Sequence, residues 1–131
     1  MSARLQLSIA RASVFSLGIF HAFVGLSMML KPYWFFETIG NFPPFNRHYL
    51  GDFGAYQLPI GIALLLASRK PFQHRLLVGA VIVANLLHAF NHMYDDLLVG
   101  VSLSGQTVLL FAIGVAYIVV LFLNDRDAML R

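Results

Sequence analysis

Five polar residues near the C-terminal end of one apolar stretch recur at spacings of three and four: Asn85, His88, His92, Asp95 and Asp96. At about 100° per residue they share one face of a helix. A second pair, His48 and Asp52, is also four residues apart. Two histidines at i and i+4 with a carboxylate at i+7 project two imidazole nitrogens and an oxygen to the same side, a donor set suited to a divalent cation. His48, Asp52, His88, His92 and Asp95 are therefore the candidate metal ligands. The His-x-x-x-His spacing lacks the intervening Glu of the zinc-protease helix. There is no cysteine, which removes disulfides, thiolate metal sites and iron–sulfur ligation.

Two other readings of the same residues stand beside the metal. The histidines and aspartates can hydrogen-bond one another and tie two helices together, because buried polar groups need partners. Alternatively they can reach the oxygens of a lipophilic ligand such as a quinone, whose ring would lie among Trp34, Phe35, Phe36 and Tyr94. In that case Tyr33, Trp34, Phe35 and Phe36 form a lid. His21, Gln57 and Asn85 read as interhelical hydrogen-bonding groups, and Gln106 as a further polar group near the start of the last helix. His74, with Arg69, Lys70 and Arg75, reads as a basic loop attracted to anionic lipid. No Ser-His-Asp order, phosphate loop or cofactor fingerprint is present, and Asp52-Phe53-Gly54 opens an apolar helix rather than a kinase loop.

The elements that position these residues follow from composition. Of 131 residues, 59% are hydrophobic and 11% charged, outside the range of soluble domains. A bilayer crossing needs about 20 apolar residues. Four such stretches predict an all-α, integral membrane, antiparallel four-helix bundle with helices at about 12–30, 48–68, 76–94 and 103–123. The whole chain, 1–131, then forms a single membrane domain. Lys31-Pro32 stops the first helix, since proline has no amide proton to continue it. The first run has no small-residue cleavage pattern and reads as a retained anchor. Residues 31–47, rich in aromatic rings, glycine and proline, are expected as an interfacial loop at headgroup level. Pro59 is expected to kink the second helix.

Seven basic residues, Arg4, Arg11, Arg69, Lys70, Arg75, Arg126 and Arg131, flank one side of the predicted bundle, against Lys31 and Arg47 on the other. The excess places both termini in the cytoplasm. Because the positive charge is scattered over helix ends rather than gathered in a patch, nucleic acid is not an expected partner. Gly18, Gly25, Gly51, Gly54, Ala55, Gly61, Gly79, Ala84 and Gly114 permit close helix approach. His21-Ala22-Phe23 and His88-Ala89-Phe90 form a short internal echo in helices that cross in the same direction.

The run Asn46-Arg47-His48-Tyr49-Leu50-Gly51-Asp52-Phe53-Gly54-Ala55, after an aromatic and proline-rich loop, resembles small bacterial four-helix membrane proteins of the DoxX-like group. The resemblance covers the helix pattern and this motif, matches Asn46, His48, Asp52 and Gly54, and assigns them no chemistry. The group is named after a subunit of a thiosulfate:quinone oxidoreductase, which keeps quinone among the expected ligands.

The sequence thus points to a small protein of the bacterial inner membrane, not an enzyme on its own. Its expected role is as a subunit or binding module of a larger membrane assembly, or as a homo-oligomer in the lipid bilayer. The alternative is a membrane oxidoreductase component, or a protein binding a divalent metal or quinone, using the outer-side His/Asp cluster.

Overall fold

The computed structural model describes residues 2–40, 43–98, 100 and 105–123. Residues 41–42 of the expected aromatic loop, residues 103–104 of the expected last helix and the tail 124–131 lie outside them. Among the described residues the chain is helical, without strands. Five α-helices follow one another: α1 Ala3–Leu30, α2 Pro32–Thr38, α3 Arg47–Ala67, α4 Arg75–Leu98 and α5 Gly105–Leu123, with a 3₁₀ turn Pro71–His74 leading into α4. Three helical segments, Arg4–Leu30, Arg47–Ala67 and Pro71–Leu98, are long and apolar enough to cross a bilayer.

Helix α1 begins nine residues before the expected start at 12. Ala, Arg, Leu and Gln are strong helix formers and no Gly or Pro interrupts the segment, so the helix outruns the apolar stretch. The aromatic segment is corrected more substantially: within the expected loop 31–47, residues Pro32–Thr38 form a helix. Pro32 stands in its first turn, where a missing amide proton costs nothing and the fixed φ is already helical. The helix closes when Ile39 and Gly40 both donate their backbone N–H to the Phe35 carbonyl, at 2.9 and 3.0 Å.

Helix α3 starts at an Asn46 cap whose side-chain oxygen accepts from the Tyr49 backbone N–H at 3.0 Å. It continues through Pro59 as one element, although the proline leaves the Ala55 carbonyl without its usual donor four residues on. Ser68 finishes it, donating its backbone N–H to the Leu64 carbonyl and its hydroxyl to that of Leu65.

The chain divides into two compact units, residues 14–69 and the described parts of 1–13 with 70–131. In the first, α1 and α3 run antiparallel at very short range. A methyl group placed on Gly25 would lie 2.5 Å from the Leu58 nitrogen, and one on Gly61 would lie 2.3 Å from the Ala22 nitrogen. Gly18 faces Leu65 and Gly54 faces Met28 in the same way, so the partners ascend on one helix while they descend on the other. Gly18 and Gly25, like Gly54 and Gly61, are seven residues apart and return to one face every two turns. At the α2 end this unit closes over a core of Val24, Met28, Phe35 and Leu50, flanked by Phe36, Ile39 and Phe53.

In the second unit, α4 and α5 pack against each other. Val78, Val81, Ile82, Asn85, Ala89 and Asp96 form the buried stripe of α4, at spacings of three, four and seven that return to one helical face. Phe90 meets Phe111 edge to face with ring centroids 5.0 Å apart, and Gly114 admits the Leu86 side chain.

Candidate functional site

On α4 the structure keeps the expected polar residues on one side of the helix but gives them different partners. Asn85 is buried and donates its side-chain N–H to the Val81 carbonyl of its own helix at 2.8 Å. His88 and His92, both half-buried, bring their Nε2 atoms to 2.9 Å, with ring centroids 4.7 Å apart and planes inclined by 29°. A hydrogen bond between these atoms requires one imidazole to donate an Nε2–H and the other to accept.

Asp95 and Asp96 part company. Asp95 accepts from the Asn91 side chain at 3.3 Å. Asp96 is buried and accepts from the Thr107 hydroxyl at 2.8 Å, a hydrogen bond that joins α4 to α5. A carboxylate withdrawn from water needs such a donor, and a hydrogen bond to a charged acceptor is stronger than one between neutral groups. Asn91 and Thr107 were not singled out from sequence. Asn91 was discoverable from its i, i+4 relation to Asp95, whereas nothing local to Thr107 foretells an acceptor eleven residues away.

The motif at the start of α3 resolves into separate tasks. Asn46 caps the helix. His48 Nε2 lies 3.4 Å from Asp52 Oδ2, with the side chains 89% and 61% exposed, so the pair sits on the surface and becomes an ion pair only when the imidazole is protonated. Gly54 carries the close approach to α1, where an added methyl would stand 2.8 Å from the Gly25 carbonyl oxygen.

A further pair lies between α1 and α3: the His21 Nδ1–H donates to Gln57 Oε1, with His21 buried. The bond fixes the proton on Nδ1 and sits between the two glycine approaches, His21 between Gly18 and Gly25 and Gln57 between Gly54 and Gly61.

The aromatic residues proposed as a lid are placed unequally. Phe35 is buried in the core of its unit and Phe36 packs against that core, while Tyr33 and Trp34 remain exposed. Phe45 meets Tyr33 and Phe36 edge to face, each at 5.4 Å, and Trp34 meets Phe23 at 6.4 Å. Beside them, a hydrogen bond to Glu37, followed by the charge of that carboxylate, pushes the Tyr33 phenol above its ordinary value.

Among the described residues, no group of three or more His, Asp or Glu side chains gathers closely enough to hold a metal. The five candidate ligands appear as pairs: His88 with His92, His48 with Asp52, and Asp95 with Asn91. No family model, no curated protein and no solved structure matches the chain.

Proposed function

We propose that the chain works within the bilayer as a small subunit or binding module of a larger membrane assembly in the bacterial inner membrane. The observation that carries this reading is the apolar surface left uncovered along the long helices: Leu30 on α1, Tyr56 and Leu66 on α3, Leu76, Leu87 and Leu98 on α4, and Val108 and Leu109 on α5 are exposed. Lipid tails or partner helices satisfy such surface and water does not. In this reading α5, whose 19 residues include no Asp, Glu, Lys or Arg, is the fourth crossing of an antiparallel bundle with cytoplasmic termini.

The test is photo-cross-linking in native membranes, with a photoreactive side chain introduced singly at Leu66, Leu76, Leu87 and Leu109. A discrete protein adduct confined to one helix face is expected, its mass separating a second copy of this chain from a different subunit. Lipid adducts alone at all four positions would overturn the proposal.

A further inference from the structure

We propose that His88 and His92 form a two-imidazole chelate for a borderline divalent cation of the Cu²⁺, Ni²⁺ or Zn²⁺ class, leaving the remaining coordination positions open. The proposal supplies the binding module with a ligand, and to that extent rests on the preceding reading.

The geometry carries it. Imidazole nitrogens bound to one such ion at about 2.0–2.1 Å, with an angle of about 90–110° at the metal, stand about 2.9–3.4 Å apart. The Nε2 atoms of His88 and His92 are 2.9 Å apart. Their separation of four residues on a continuous helix means that backbone hydrogen bonding, rather than a loop, holds the two donors side by side. Inclined planes and a centroid separation longer than the nitrogen separation make the rings a V that closes at Nε2.

Entry of the ion needs one proton rearrangement. In the hydrogen-bonded pair one ring carries its proton on Nε2. That proton moves from Nε2 to Nδ1 of the same ring, so both Nε2 lone pairs reach the metal. Asp95, about one helical turn farther on, adds a carboxylate on the same side of α4 and favours a cation over an anion. Imidazole donors without thiolate select this class over Mg²⁺ or Ca²⁺, and Cu²⁺ binds tightest within it.

The experiment is a titration of the full chain in lipid nanodiscs with Cu²⁺, read by calorimetry and by pulsed electron paramagnetic resonance, which counts coordinated imidazoles through their remote nitrogens. One ion per chain with two equatorial imidazoles is expected. The count should fall to one, and affinity at least tenfold, in His88→Gln and in His92→Gln, while His48→Gln changes neither. Absence of stoichiometric binding overturns the proposal. So does an imidazole count other than two in the unaltered protein, a readout that needs no variant to fold. Retained affinity in both α4 variants, or its loss in His48→Gln, places the ion elsewhere and also overturns it. Cross-linking to a partner can succeed while this titration fails, and the reverse, so the two proposals fall separately.

Discussion

Hydrogen bonds set the role of several polar residues more firmly than residue type does. Asn46 belongs to the run that suggested a family, yet its side chain serves the first turn of α3. Asn46→Ala is expected to destabilise the protein by about 1 kcal/mol, measured by reversible unfolding in mixed detergent. Asn46→Asp, which keeps the acceptor, should recover most of the loss. Tyr33 offers a spectroscopic check on α2. Its neutral phenol is favoured by Glu37, so any stability it contributes is present below the ordinary tyrosine value of about 10 and is lost as pH rises through the raised one. Ultraviolet titration of the protein minus that of Tyr33→Phe should show a midpoint above 10, and Glu37→Gln should bring it down. His21→Leu should cost about 1 kcal/mol, because Gln57 loses the donor it accepts from between two closely packed helices. His21→Asn in the same unfolding assay tests whether a shorter donor can replace it.

Helices were the most legible part of the sequence, since apolar runs bounded by Lys31-Pro32 and by Arg69-Lys70-Pro71 leave few alternatives. The α4 face was legible for the same reason: spacing alone dictates it. Helix α2 was not, because seven residues are too few for a periodic signal and Pro32 and Gly40 resemble loop punctuation until the turn between them is seen. Nor could spacing assign partners, and Asp96 illustrates this, since only the packing of α5 brings Thr107 to it. Glycine roles were half legible. Sequence marked Gly25, Gly61 and Gly79 alike, yet an added methyl meets backbone at the first two and nothing within 4 Å at Gly79. Gly61→Leu is therefore expected to cost about 3 kcal/mol or to prevent folding. Gly79→Leu should be neutral or slightly stabilising, through better helix propensity. Thermal melts in one detergent compare the two directly.

For the whole molecule, the proposed topology has a convenient probe in the absence of native cysteine. Single cysteines at exposed Ser2, Glu37 and Gln73 should react differently with a membrane-impermeant maleimide applied to spheroplasts. Glu37→Cys is expected to label in intact spheroplasts, and Ser2→Cys and Gln73→Cys only after lysis. Labelling of all three before lysis, or of Ser2→Cys alone, would refute cytoplasmic termini. The proposed orientation rests on the uneven distribution of Lys and Arg, a matter of charge counts near helix ends rather than of packing. Charge counts do not mark a docking surface in the same way, since an apolar side chain facing lipid and one facing another helix are chemically alike.

The glycine approaches between α1 and α3 also bear on how the protein is made. The approaches at Gly18, Gly25, Gly54 and Gly61, together with the His21–Gln57 hydrogen bond, lie within residues 14–69. During synthesis the two helices can therefore dock as a hairpin while α4 and α5 are still being translated. Substitutions in α4 or α5 should then lower the yield of assembled protein without unpairing α1 from α3, whereas a side chain added at Gly25 or Gly61 would disrupt the first folding event after insertion and expose the nascent chain to membrane quality control.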